Sequence, residues 1–119
     1  MATPHIQSAF PKRRYQFGEF SITLLTDIQS DDPIDYLYIM AAMREGNTHP
    51  EVYITCEAIT PKENEEEKST CRVRVLSSEQ EHIISTDSQW RNEQSFCEFA
   101  LEGIKQMFEL SDEEPTPLA

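Results

Sequence analysis

The chain has 119 residues, with 10 Lys and Arg against 22 Asp and Glu, for a formal net charge of -12. That length supports one domain, and 38% hydrophobic residues can build a core without help from metals or disulfides. So acidic a surface repels DNA, RNA and anionic lipid headgroups, which hold proteins mostly through Lys and Arg.

The only basic cluster, Lys12, Arg13 and Arg14, adjoins a proline-containing polar start. Residues 1–13 and 111–119 read as mobile tails, since neither offers enough apolar area to offset the entropy of ordering. They flank one domain over residues 14–110. The opening MATPHIQSAF lacks the charged start and apolar stretch of a secretory signal. The longest hydrophobic run, Tyr36 to Met43, falls far short of the ~20 residues of a membrane span. Cys56, Cys71 and Cys97 are odd in number and include no C-x-x-C pair. Reduced, buried thiols in a cytoplasmic protein are the expectation. A structural zinc site would show ligands paired two to four residues apart, and there are none.

In chain order, Tyr15 to Thr26 alternates as a strand, with Phe20, Ile22 and Leu24 on one face. Tyr15 and Phe17 have the opposite parity, so the pattern slips at Gly18-Glu19, as a bulge or a tight turn would make it. Asp32, Pro33 and Asp35 then read as a helix start: an N-cap, proline in the first turn, and negative charge at the positive dipole end. This predicts a helix to about Glu45, stopped by Gly46. Glu51 to Ile59 is a strand with Val52, Ile54, Cys56 and Ala58 on one face. Lys62 to Ser69 is a charged connector. Thr70 to Leu76 alternates again, with Cys71, Val73 and Val75 opposed to Arg72 and Arg74. A short fourth strand spans His82 to Ser85, and Asp87 or Ser88 caps a long helix reaching about Leu110. The expected fold is α+β in the order β-α-β-β-β-α, a mostly antiparallel sheet of about four strands packed by two helices.

The first predicted helix is the informative element, because it is apolar all round and would have to be buried all round. The second carries Trp90, Cys97, Ala100, Leu101, Ile104, Met107 and Phe108 on one arc, with Phe96 and Phe99 on a shoulder. The spare apolar faces either satisfy each other within a monomer or form an interface. The interface reading gives a surface of Tyr36, Ile39, Met40, Met43, Phe96 and Phe99 that binds a protein partner or a second copy in a homodimer. Small acidic proteins of this profile include secretion chaperones, adaptors and immunity proteins, a class analogy that no motif carries.

A second reading is a small-molecule binder or minor enzyme, with Tyr38, His82 and Glu93 in a pocket between sheet and helices. Glu93 falls inside the apolar stripe, where its carboxyl would have a raised pKa. No nucleophile elbow, zinc-protease motif or phosphate-cradling glycine loop occurs. Asp27, Asp31, Asp32 and Asp35 lack calcium-loop spacing and serve more simply as caps. No metal or cofactor is expected, and no catalytic residue is assigned. A third reading is an acidic mimic of nucleic acid. It is weakened because half the acids fall in the tail, the connector and the Asp27–Asp35 segment.

Overall fold

In the computed structural model, residues 6–31, 35–59, 70–77, 81–87, 92–110 and 115–118 are described. The slip at Gly18-Glu19 is a hairpin turn. Phe17 closes strand β1 (Ile6–Phe17) directly opposite Phe20, which opens β2 (Phe20–Ser30). Gly18 has φ 58°, as the first central residue of a tight primed turn requires.

The residues after β2 overturn the expected two-helix layout. Asp35–Arg44 is a strand, β3, paired with β2 on one side and with β4 (Val52–Ile59) on the other. A single helix remains among the described residues, so the fold is an antiparallel sheet with one helix rather than a four-stranded sheet packed by two. The cause lies in the burial of β3. Tyr36 and Ile39 are buried on one face of the sheet, Met40 and Ala42 on the other. A strand buried on both faces loses its polar alternation and reads like a buried helix. The register also skips at Leu37, where Tyr36 faces Glu57 but Tyr38 faces Cys56, so one extra residue shifts the parity midway. The proposed cap, Asp32, lies outside the described residues.

Strands β5 (Thr70–Ser77) and β6 (Glu81–Asp87) continue the meander. The last strand, β7 (Thr116–Leu118), pairs with the outer side of β1 at Arg14–Gln16. The sheet order is β6-β5-β4-β3-β2-β1-β7, all antiparallel. Both β7 and the first half of β1 fall in segments that read as tails. Among the described residues, no helix is long and apolar enough to cross a membrane.

The helix α1 (Glu93–Met107) starts later than Asp87 or Ser88, because Asp87 belongs to β6. Asn92 is the cap, and its side chain accepts the Ser95 N–H at 3.1 Å. At the other end Glu109 adopts φ 55°, Leu110 N–H reaches Lys105 C=O at 2.8 Å, and Glu109 N–H reaches Gln106 C=O at 3.4 Å. That pair of bonds is a Schellman stop, here without its usual glycine.

The helix buries Phe96, Cys97, Ala100 and Ile104 against Phe17, Phe20, Ile22, Leu24, Met40, Ile54 and Val73. Phe96, read from sequence as a shoulder, is fully buried. Two aromatic contacts fix the helix ends. Tyr38 stacks on Phe96 with centroids 5.5 Å apart, and Phe20 meets Phe108 at 4.3 Å. Arg44 lies over the Phe20 ring at 4.8 Å, held by Glu51 at 2.7 Å and by Glu19.

Gly103 sits inside α1 where an added Cβ would meet only Ile54 Cδ1, at 3.8 Å, an ordinary contact. Glycine costs a helix interior roughly 0.5–1 kcal/mol relative to alanine. Gly103→Ala should therefore raise the urea midpoint by the equivalent of about 0.5–1 kcal/mol. A midpoint that falls would mean the helix lies closer to β4 than this contact implies.

Candidate functional site

Three places concentrate chemistry: the start of α1, the sheet face away from α1, and the two sheet edges.

At the helix start, Glu93 receives Lys12 Nζ at 2.6 Å and Arg13 Nε at 2.9 Å. Consecutive strand residues ordinarily point to opposite faces. Here the register steps from Pro11 opposite Leu25 to Arg13 opposite Leu24, which leaves Lys12 as the extra residue of a bulge. A bulge re-aims side chains, and both cations turn to one carboxylate. The bond from Lys12 leads in holding the Glu93 carboxyl below its ordinary value of 4.5, and Arg13 adds to it, against partial burial. The raised pKa expected of a carboxyl in an apolar stripe is thus reversed. Next to it, burial, and after it the Glu93 charge, leave the Cys97 thiol with a raised pKa, against the hydrogen bond from Tyr15 and the charges of Arg13 and Lys12. Burial likewise raises Tyr15 and Tyr38, and the Glu93 charge adds to the effect on Tyr38. An ionised, doubly paired carboxylate and a protonated buried thiol form a clamp between β1 and α1. Neither is set for proton transfer or nucleophilic attack at neutral pH.

Of the pocket residues read from sequence, Tyr38 and Glu93 come together. The backbone of His82 lies on β6 opposite Val75, at the other end of the strand order, and its side chain lies outside the described residues. The six residues of the expected interaction surface do not form one surface. Ile39, Met40 and Phe96 are fully buried, Tyr36 is 6% exposed, and Met43 and Phe99 are half-buried. Strand geometry divides them, since Ile39 and Met40 are neighbours on β3 and face opposite ways. Cys56 and Cys71 share the helix face as diagonal neighbours, Cys56 opposite Val73 and Ala58 opposite Cys71. Among the described residues, no group of three or more His, Cys, Asp or Glu could hold a metal ion. The Lys62–Ser69 connector and Trp90 lie outside the described residues.

The face away from α1 holds a cluster that the sequence reading passed over. Glu57 is 1% exposed, with Arg72 directly opposite it on β5 and Arg74 one pair away. Arg72 donates to Oε1 through Nε at 3.1 Å and Nη2 at 2.7 Å. Arg74 Nε donates to Oε2 at 2.5 Å, and Thr55 Oγ1 donates to the same oxygen at 2.8 Å. Four bonds fill the carboxylate's lone-pair directions. The signal is a glutamate inside the mostly apolar run VYITCEAI, at the same parity as Thr55 and, across the hairpin, as Arg72 and Arg74.

The sheet edges differ from one another. Along β1 the outer side is paired with β7 at Arg14–Gln16. The rest of β1 carries Pro11, the Lys12 bulge, and a second register shift opposite Asp27, which has φ 50°. Proline, charge and bulges are the usual means of blunting an edge. On β6, among the described residues, no strand pairs with the outer side. Its sequence EHIISTD holds no proline, glycine, lysine or arginine. Its one irregularity is that Ser85 faces Val73 while Ile83 faces Arg74, so Ile84 is the extra residue. Ile84 is 41% exposed, an apolar side chain on this edge.

Comparison with family models, with curated proteins and with solved structures finds no match to this chain.

Two outcomes follow from the charged clusters. Glu57→Gln should lower stability by roughly 3 kcal/mol in urea unfolding, because it removes the charge of the buried anion to which Arg72 and Arg74 are both bound. A loss no larger than that of an exposed ion pair would show the cluster to be well solvated. For Glu93, a folded pKa below 4.5 means its contribution is present above that value and lost as pH falls through the lower, folded value. Glu93→Gln should therefore flatten the fall of stability between neutral and acid pH. An unchanged slope would assign the acid sensitivity to other carboxylates.

Proposed function

We propose that this chain is a cytoplasmic protein-binding module that takes an extended segment of another protein onto the open edge of its sheet, along β6. The observation that carries this reading is the contrast between the edges. One is covered by β7 or blunted by proline, cations and bulges, while along the other, which has a single bulge at Ile84, no strand is paired among the described residues and that isoleucine is exposed. An unpaired edge is a template for strand addition, in which main-chain hydrogen bonds supply affinity and alternate side chains supply specificity. The cytoplasmic assignment is supported by three buried cysteines, none of them in a disulfide, as a reducing compartment keeps them. A binding role also agrees with the titrating groups, since Glu93 is committed to ion pairs and the Cys97 thiol is held protonated.

The test is a photo-reactive amino acid placed at Ile84, with the same group at the exposed Phe10 of the blunted edge as reference. Cross-linked partner should form from position 84 and not from position 10. Equal capture at both positions, or capture from position 10 alone, would overturn the assignment to β6.

A further inference from the structure

The two halves of the β1 edge are guarded in different ways. All three register shifts between β1 and β2 fall between Ile6 and Arg13, where Pro11 and the Lys12 bulge also lie. From Arg13 opposite Leu24 to Phe17 opposite Phe20 the register runs without a break. That stretch holds no proline or glycine, and Tyr15 and Phe17 fasten it to the core at 8% and 0% exposure. A regular, firmly held edge is the kind that another strand can pair with. β7 lies on it, paired with Arg14, Tyr15 and Gln16.

What β7 brings is cover rather than packing. It is three residues long, and its Thr116 and Pro117 are exposed. Pro117, opposite Tyr15, has no N–H to donate. β7 is also last in the strand order, so its outer side forms the sheet edge, and brevity and proline blunt it. A three-residue strand with exposed side chains opens more readily than the strands beneath α1.

We infer that β7 is a strap over the regular stretch of the β1 edge, and that with the strap lifted two copies of this chain join β1 to β1. The pairing is antiparallel and two-fold, with Tyr15 facing its counterpart. It sets Arg14 opposite Gln16, and Arg13 opposite Phe17, of the other copy, so no like charges stand directly opposite one another. Tyr15 with Tyr15 adds a cross-strand aromatic pair. This surface lies at the other end of the strand order from β6 and works without it.

The test uses the full chain with Thr116→Pro and Leu118→Pro, which leaves residues 116–118 without an N–H. Leu118→Pro alone is the milder variant, read in the same way should the double one fail to fold. Oligomeric state is measured by sedimentation equilibrium, with amide hydrogen exchange followed at residues 14–16. The unmodified chain should be monomeric, and the variant should dimerise at least about tenfold more tightly. Exchange at residues 14–16 should quicken in the dilute variant and slow again as its concentration rises. Each copy carries a formal net charge of -12. The dimer should therefore strengthen between about 0.05 and 0.5 M salt, as that repulsion is screened. Ile84→Lys, on the far edge, should leave it intact.

An unmodified chain that dimerises as tightly as the variant would mean that β7 holds nothing apart, which overturns the strap. A variant that stays monomeric while residues 14–16 exchange faster overturns the β1 pairing. Unchanged exchange at those residues shows that β7 is not their cover, and the strap fails again. A dimer that Ile84→Lys dissociates, or that salt dissolves, is held elsewhere than at β1 and is equally fatal.

Discussion

One helix has to close one face of a seven-stranded sheet, and the rest of the structure accommodates that demand. Phe96, Cys97, Ala100 and Ile104 supply a narrow buried stripe, so the strands beneath must bring the bulk. Phe17, Phe20, Ile22, Leu24, Met40 and Ile54 do so, each essentially without exposure. The aromatic contacts Tyr38–Phe96 and Phe20–Phe108 then fix where each helix end lands. Polar clamps follow at the same two points: Glu93 with Lys12 and Arg13 at the start, and Arg44 with Glu19 and Glu51 near the finish. Packing sets the position, and the ion pairs sharpen it at modest energetic gain.

The opposite face has no helix among the described residues and solves its burial differently. Ile39, Tyr36, Leu76 and Thr55 are buried there beside Glu57. A carboxylate so placed is tolerable only with its bonding capacity filled, and Arg72, Arg74 and Thr55 fill it. Removing one partner is costly, although the assembled cluster need add little net stability. Its more evident effect is on register, since a slip of one residue between β4 and β5 would turn Glu57 away from both arginines.

The readable parts of this fold were those with one wet face. Alternation of Cys71, Val73 and Val75 against Arg72 and Arg74 marks β5, and Val52, Ile54 and Cys56 mark β4; both strands are where that pattern puts them. The α1 stripe is equally legible from the spacing of Cys97, Ala100 and Ile104. β3 was not legible, because a central strand covered on both sides has no polar parity, and the extra residue at Leu37 erased what parity remained. From that single misreading came the expected two-sided apolar helix and the interaction surface drawn on it. β7 and the first half of β1 were hidden for another reason. Thr116, Pro117 and Arg14 gain their pairing from residues about a hundred positions away, which no local window contains. The Glu93 misreading was electrostatic: the helical wheel placed the carboxyl correctly near the apolar stripe, but Lys12 and Arg13 arrive from another strand.

The position of α1 in the chain bears on how the molecule is made. All six long strands precede it. A chain synthesised from its N-terminus therefore completes its meander before α1, which covers Phe17, Ile22, Leu24 and Ile54, exists. Neighbouring strands can pair locally as they emerge, but the sheet face they form stays wet until Phe96 to Ile104 arrive. Until then such a nascent sheet exposes apolar surface, the circumstance in which chains aggregate or require a chaperone. The helix face of the sheet is thus closed late, only once residues 96–104 have emerged.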